Sequence, residues 1–328
     1  MLHLCDRFPV VSAEDIIKGF VPPPRFSEAS LSNYLPDSNE PSQSVALDHV
    51  RRFVDLQTSA KRSLFKRKLA VKSGIYLDGG YGVGKTHLLA GLWHATSGPA
   101  TFASFVEYTH AVGAFGFNRA VEALSECALV CIDEFELDDP GDTVLMSTLL
   151  QRLVDNGVKI AATSNTLPDK LGEGRFAADN FLREIQGLKA HFDVIRIDGH
   201  DYRHRENIES APPMSNEQLH QMANSNSTYS LDTAADIERH LVNVHPSAFG
   251  LLVNGIQRVC ISDMAQVTNQ MIALRWVVLI DRLYDRAIPV SFSGCSVEEL
   301  FSPEMLKGGY RKKYLRALSP LSALSREN

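Results

Sequence analysis

The sequence predicts an α/β protein with a parallel sheet that helices cover on both faces. Between residues 73 and 207, short apolar runs alternate with stretches of helical periodicity. A glycine-rich loop joins the first apolar run to a helix-like stretch, and a later run ends in two carboxylates. After residue 230, further strand-like and helix-like runs predict a small C-terminal α+β domain in the position of a lid.

The strands of the sheet are predicted from apolar runs that stop at polar residues or turns. They are Gly74 to Asp78, Thr101 to Phe105, Leu129 to Asp133, Val158 to Thr163 and Phe192 to Ile197. Helices are predicted from Ser42 to about Ser59 and from Asp142 to Asn156. Open parallel sheets bind ligands at the carboxyl ends of their strands, so we expect the functional residues there.

The loop after the first strand has the sequence of a phosphate-binding loop. Its residues read GGYGVGKT, a complete GxxxxGK[ST] motif between a strand and a helix. Glycines let successive N–H groups point at phosphate oxygens, and the helix adds its positive N-terminal end. A glycine-rich turn that binds nothing is the alternative, which the flanking elements disfavour. The predicted ATP-binding residues are Gly79, Gly80, Tyr81, Gly82, Val83, Gly84, Lys85, Thr86 and His87.

Two catalytic roles are predicted within this loop and two more at the third strand. Lys85 is predicted to reach the β and γ phosphates, and Thr86 to place its hydroxyl on Mg²⁺. Residues 128–134 read ALVCIDE, a buried strand that ends in acids. Asp133 is predicted to hold Mg²⁺ with Thr86, and Glu134 to act as the base for an attacking water. A core strand that runs into an acidic turn is the alternative.

The fourth strand ends in a further candidate. Residues 158–165 read VKIAATSN, so Asn165 follows a strand beside the loop. Its amide is predicted to contact the γ phosphate and the attacking water. A turn or cap asparagine is the alternative.

The order of these elements, with a strand that ends in Asn, is typical of AAA+ ATPases. A closer resemblance is carried by the segments Tyr76 to Leu89, Cys131 to Phe135, Thr163 to Pro168, Asp201 to Arg203 and Leu279 to Asp285. In these segments the chain resembles the cell division protein ZapE-like family of AAA+ ATPases, whose relatives include a mitochondrial ATPase. The resemblance implies an oligomeric ATPase that remodels a protein partner, possible partners being those of the cell division machinery.

Two arginines of the family pattern are missing. Ala178 stands where an arginine is expected to act on the neighbouring subunit's nucleotide, and we favour Arg175 over Arg183 as its replacement. Pro320 stands where relatives more often have arginine, and Arg316 is a candidate for that role. In the lid, Arg275 is a candidate for contact with the γ phosphate, and a surface salt bridge is the more common role for such a residue.

Composition bounds the remaining possibilities. With 33 basic and 39 acidic residues and a net charge of −6, global attraction to nucleic acid or to anionic membrane is not expected. The basic run 61–72 is predicted to be a solvated helix end rather than a binding site. The five cysteines have no zinc spacing. Without a signal peptide pattern or an apolar run of membrane length, a cytoplasmic location is expected, with membrane attachment only peripheral.

The chain is predicted to divide into four parts. Residues 1–72 flank the nucleotide site, 73–207 form the ATPase core, 208–230 form a flexible polar linker and 231–328 form the lid-like domain. An energy-transducing ATPase is the favoured function. A kinase or GTPase is disfavoured, because Glu134 suits an attacking water and no NKxD motif for guanine is present. A nucleotide-dependent scaffold with slow turnover is the alternative that the missing arginine keeps open.

Overall fold

The computed structural model describes residues 2–9, 13–60, 72–80, 82–137, 140–168, 171, 182–199 and 210–327. The chain forms two compact units. The core unit comprises Val11–Pro22 and Phe26–Tyr202. The C-terminal unit comprises Met1–Val10, Pro23–Arg25 and Arg203–Asn328.

The core unit contains a five-stranded sheet with the order β2-β3-β4-β1-β5, and all its pairings are parallel. The strands are β1 (Gly74–Gly79), β2 (Ala100–Ser104), β3 (Leu129–Asp133), β4 (Lys159–Ser164) and β5 (Phe192–Ile197). Each predicted strand is therefore present to within one residue at either end. The predicted fold class, a parallel α/β sheet of the phosphate-loop type, is confirmed.

The helices of the core unit lie between these strands and ahead of them. They are α1 (Ala13–Lys18), α2 (Pro41–Ala60), α3 (Lys85–Ala95), α4 (Phe105–Phe115), α5 (Phe117–Ser125), α6 (Pro140–Asp155) and α7 (Leu182–Ala190). The prediction that β2 extends to Phe105 is wrong. Ser104 and Glu107 form a capping box, so the strand ends at Ser104 and Phe105 begins α4.

Alternate residues of each strand supply the two faces of the core. In β1, Ile75 and Leu77 pack on the side of α2 and α3, in a cluster with Leu88 and Leu89. Tyr76 points to the opposite side, where it packs against Phe192 with ring centroids 5.5 Å apart. Because both faces of the central strands β1, β3 and β4 are buried, these strands are largely apolar rather than alternating, which is why the sequence reveals them.

The C-terminal unit contains a second, three-stranded parallel sheet with the order β6-β7-β8. Its strands are β6 (Tyr229–Thr233), β7 (Arg258–Met264) and β8 (Val290–Gly294). Its helices are α8 (Asn216–Asn224), α9 (Ala234–Asn243), α10 (Phe249–Leu252), α11 (Gln270–Asp285) and α12 (Arg311–Arg326). Trp276 and Phe292 belong to its main hydrophobic cluster.

Two parts of this unit differ from expectation. The segment 208–230, predicted to be a flexible linker, contains α8 and the start of β6. Ser215 and Gln218 form a capping box at the start of α8, and Leu219 of this helix is fully buried. Polar composition therefore hid a short amphipathic helix. The other proposed boundaries, at residues 72 and 207, remain proposals.

The N-terminal residues pack in the C-terminal unit, although residues 1–72 were predicted as one segment beside the nucleotide site. Leu2 forms a parallel bridge with Ser230, and Leu4 is 1% exposed within the hydrophobic cluster of this unit. The side chain of Arg7 donates to the carbonyl oxygens of Leu252 and Asn254 at 2.8 and 2.7 Å. A contact so distant in sequence leaves no local pattern that would predict it.

Candidate functional site

The phosphate loop connects β1 to α3 at the carboxyl end of the core sheet. Gly82 and Gly84 have positive φ angles of 71° and 86°, which glycine adopts without steric cost. Gly84 is the N-cap of α3 and provides no side-chain cap, so the first N–H groups of the helix face the loop. Gly79 lies so close to β5 that a Cβ there would come within 2.3 Å of the carbonyl oxygen of Ile197. Tyr81 lies outside the described residues.

Lys85 brings the loop and the end of β4 together. Its ammonium donates to the carbonyl oxygens of Gly79 at 3.0 Å and Gly80 at 2.5 Å, and to Oδ1 of Asn165 at 2.9 Å. The residue is only 8% exposed. The predicted neighbours Lys85 and Asn165 are thus in direct contact. The ammonium lies inside the loop, where the sequence motif requires it.

Asp133 and Thr86 supply two oxygen atoms next to each other. Oγ1 of Thr86 donates to Oδ1 of Asp133 at 3.3 Å, and Oγ1 of Thr163 donates to the same carboxylate oxygen. Burial raises the pKa of Asp133 and the charge of Glu134 raises it further, while the two hydroxyls and Lys85 oppose that shift. Mg²⁺ prefers oxygen ligands, so this pair fits the ion by its donor chemistry. Thr163 was not identified from the sequence.

Glu134 has an uncommon backbone conformation. Its φ angle is 53°, in the left-handed region that costs an ordinary side chain about 1 kcal/mol or more. The turn is fixed by β4, since the N–H of Glu134 donates to Oγ1 of Thr163 at 3.1 Å and that of Phe135 to the carbonyl of Thr163 at 2.7 Å. Backbone strain of this kind is concentrated at functional sites, where neighbouring contacts hold it.

Asn165 also contacts Glu136, an acid that was not identified from the sequence. Its Nδ2 donates to Oε1 of Glu136 at 3.4 Å, while its Oδ1 accepts from Lys85. The sequence signal was present, because Glu136 is the next acid after the DE pair in the segment DEFE.

The segment before α2 covers the other side of the loop. The hydroxyl of Tyr34 donates to the carbonyl of Val83 at 3.2 Å, and its ring is so close that a Cβ on Gly84 would come within 2.6 Å of it. Nε2 of His87 lies 2.8 Å from Oδ1 of Asn33. No sequence motif identified Tyr34 or Asn33, although the segment as a whole was expected to flank the site.

Three of the four candidate arginines are among the described residues, and each has different hydrogen-bond partners or exposure. Arg175 lies outside the described residues, as does Ala178, and Arg183 is exposed on α7. Arg275 donates to the carbonyl oxygens of Leu241 and Val244 at the end of α9, rather than to a carboxylate. Arg316 donates to Oδ2 of Asp281 at 2.5 Å. Arg275 and Arg316 are therefore engaged inside the C-terminal unit.

Of the basic run 61–72, only Lys72 is among the described residues. Its ammonium donates to the carbonyl of Phe192 at 2.8 Å and lies 3.8 Å from Asp193. In the parts of the chain that the structure describes, no helix is both long enough and apolar enough to cross a membrane.

Comparison with known proteins gives the following relatives. Cell division protein ZapE of Escherichia coli (strain K12) is 32% identical over 144 residues, which cover 40% of this chain and 38% of ZapE. Lactation elevated protein 1 homolog B of Danio rerio is 34% identical over 91 residues, which cover 27% of this chain and 18% of that protein. The matched region is thus less than half of either relative. The resemblance to ZapE-like proteins is confirmed.

A solved structure of the replication initiator DnaA bound to AMPPCP and single-stranded DNA aligns with a TM-score of 0.43 at 12% identity. That alignment covers 89% of this chain and 91% of the DnaA chain. The sequence profile of the AFG1-like ATPase family matches residues 10–240 and 215–328. Because the family profile alone matches most of the sequence, the chain belongs to the AFG1-like ATPase family.

Proposed function

We propose that this protein binds ATP with Mg²⁺ and hydrolyses it to ADP and phosphate. The observation that carries the proposal is the convergence of Lys85, Asp133, Glu134 and Asn165 at one edge of the sheet. Family membership agrees with it. The carboxyl ends of three strands supply these groups, in the arrangement by which open α/β sheets bind ligands.

Each residue has a role that follows from its chemistry. The Lys85 ammonium and the N–H groups at the start of α3 bind phosphate oxygens. Thr86 and Asp133 hold Mg²⁺, which neutralises charge on the phosphates when bound. Glu134 accepts a proton from the attacking water. The loop residues Gly79 to His87 form the nucleotide site, including Tyr81, and Arg175 completes it from a neighbouring subunit of a homo-oligomer.

We further propose that hydrolysis remodels a protein partner. The name of the relative ZapE associates that protein with cell division, and this chain shares 40% of its length with it. By that analogy the partner belongs to the division machinery and the protein acts in the cytoplasm. A slowly turning over scaffold is the second candidate, because Ala178 stands where the family has its arginine.

Phosphate release from ATP by the purified full-length chain tests the proposal. We expect Glu134→Gln to retain ATP binding and to turn over at least about a hundredfold more slowly, the scale of a lost general base. Lys85→Ala is expected to lose most of its ATP affinity. Glu122, exposed on α5, provides a matched control, since Glu122→Gln removes a surface carboxylate outside the phosphate loop and the DE pair.

The outcomes separate the two candidates. Full turnover by Glu134→Gln contradicts the role of Glu134. The scaffold is supported instead if the wild-type protein binds ATP tightly but releases no phosphate. This must hold over protein concentrations at which it is a monomer and at which it is an oligomer. A partner recovered specifically with the ATP-bound Glu134→Gln variant identifies what hydrolysis acts on.

A further inference from the structure

Glu136 and Lys85 contact opposite ends of the same amide. Oδ1 of Asn165 accepts from the Lys85 ammonium at 2.9 Å, and Nδ2 of Asn165 donates to Oε1 of Glu136 at 3.4 Å. An ammonium has only donors, and an ionised carboxylate has only acceptors. An amide between them therefore satisfies both neighbours in one orientation alone, with its oxygen toward the loop.

The backbone that presents Glu136 is held firmly. Phe135 is fully buried, and its N–H donates to the carbonyl of Thr163 at 2.7 Å. The preceding turn at Glu134 is tied to Oγ1 of Thr163 at 3.1 Å. Because β3 and β4 are joined on both sides of this turn, the Glu136 carboxylate is held next to Asn165 before any ligand binds.

We propose that Glu136 is a positioning residue that keeps the carbonyl oxygen of Asn165 turned toward the phosphate loop. The inference rests on the proposed ATP hydrolysis. When Lys85 turns to phosphate oxygens, Glu136 still holds Nδ2, and Oδ1 is left facing the loop. An amide oxygen accepts a hydrogen from water, whereas an amide nitrogen would donate to a phosphate oxygen. Asn165 is thereby assigned to the attacking water rather than to the γ phosphate.

This role predicts opposite changes in turnover and in binding. Without Glu136, the amide is free to turn its nitrogen toward the loop. Water is then oriented less well, and the terminal phosphate gains a donor. We therefore expect Glu136→Ala to lower kcat about fivefold to tenfold and to raise the ratio of ATP to ADP affinity about twofold to fivefold.

A double-mutant cycle tests the inference. The variants of the full chain are Glu136→Ala, Asn165→Ala and their combination, with Glu122→Ala as the matched control on α5. Phosphate release gives kcat, and fluorescent ATP and ADP analogues give the two affinities. Both effects of Glu136→Ala are expected to vanish when Asn165 is already alanine. Glu136→Gln keeps one acceptor oxygen, so its effects are expected to be smaller in both measurements.

The failure of this inference differs from the failure of the proposed function. If the wild-type protein releases phosphate and Glu136→Ala lowers kcat equally with and without Asn165, the positioning role is overturned. A loss of ATP affinity in Glu136→Ala overturns it as well. If the wild-type protein releases no phosphate, hydrolysis is refuted, and the affinity ratio alone decides: a ratio that Glu136→Ala leaves unchanged overturns the inference.

Discussion

At the carboxyl end of the core sheet, Asp133 accepts hydrogen bonds from two threonine hydroxyls, whereas near the carboxyl end of the C-terminal sheet, Asp232 accepts them from backbone amides. The amide donors of Asp232 are those of Leu4 at 2.8 Å and Cys5 at 3.4 Å. Both aspartates come from parallel strands of similar length. The two aspartates differ in whether a bound ligand can replace their hydrogen-bond donors.

Backbone donors commit a carboxylate to the fold. Once Asp232 holds the amides of the N-terminal segment, its oxygens stabilise a contact between residues that are far apart in sequence. A hydroxyl donor commits a carboxylate less, because a side chain such as that of Thr86 can turn toward a ligand, whereas a backbone amide cannot. Position at the carboxyl end of a parallel strand therefore does not by itself make a binding site. Side-chain partners that a ligand can replace are also needed.

Removal of the Asp232 carboxylate should produce the largest loss of stability. In Asp232→Ala the Leu4 and Cys5 amides lose their acceptor, and each buried unsatisfied donor costs about 1 to 3 kcal/mol. We expect a loss of about 2 to 4 kcal/mol and faster hydrogen exchange at both amides. ATP affinity should stay unchanged. Asp232→Asn keeps one acceptor oxygen and should lose about half as much, and unchanged exchange in Asp232→Ala would refute the assignment.

The corresponding change in the core sheet should have the opposite sign. Asp133→Asn removes a charge that is desolvated and that lies beside the charge of Glu134. Desolvation and the Glu134 charge are the two causes that raise the pKa of Asp133. We expect the nucleotide-free protein to gain about 1 kcal/mol, or about 2 to 4 °C in the melting temperature of this unit, while Mg²⁺-dependent turnover is lost. A lower melting temperature would show that the two hydroxyls and Lys85 outweigh desolvation.

The pH dependence of stability follows from the same carboxylate. Because the pKa of Asp133 is higher in the folded protein than its ordinary value of 3.8, the folded state binds the proton more tightly than the unfolded chain does. This contribution is therefore favourable at low pH and is lost as the pH rises from about 4 through the raised pKa. The difference in melting temperature between Asp133→Asn and the wild type should widen over that window and then level off. A constant difference from pH 4 to 8 would contradict the shift.

The separation of contacting residues along the chain explains which features the sequence could predict. The central strands β1, β3 and β4 are buried on both faces, whereas the edge strand β5 exposes Asp193, Val194 and Arg196. Each strand was nevertheless located from its own residues. Lys85, Thr86, Asp133 and Asn165 were expected to meet because the ends of parallel strands share an edge. Their contacts depend only on strand order and on motif spacing, both of which are readable in one chain.

What the sequence did not predict depends on contacts without a local signature. Tyr34 meets Gly84 across 50 positions, and Leu4 meets Asp232 across 228. Helix α8 has a capping box at Ser215 that was readable, yet its polar composition suggested a linker. Thr163 lies within the fourth-strand run and Glu136 just beyond the DE pair, and their contacts with Glu134 and Asn165 depend on how the chain turns after β3.

Replacement of Arg275 should have the smallest effect on stability. It should also distinguish a structural role of this residue from contact with the γ phosphate. It lies on α11 and donates to the carbonyls of Leu241 and Val244, where a positive charge interacts favourably with the end of α9. Burial lowers its pKa, which shows that desolvation offsets part of that benefit. We therefore expect Arg275→Ala to lose only about 0.5 kcal/mol of stability, with unchanged ATP turnover. An arginine that contacts the γ phosphate would give the reverse result, a large loss of turnover without a change in stability. Chemical denaturation and phosphate release, measured on the same preparation, distinguish the two, and Arg239→Ala, exposed on α9, serves as the control.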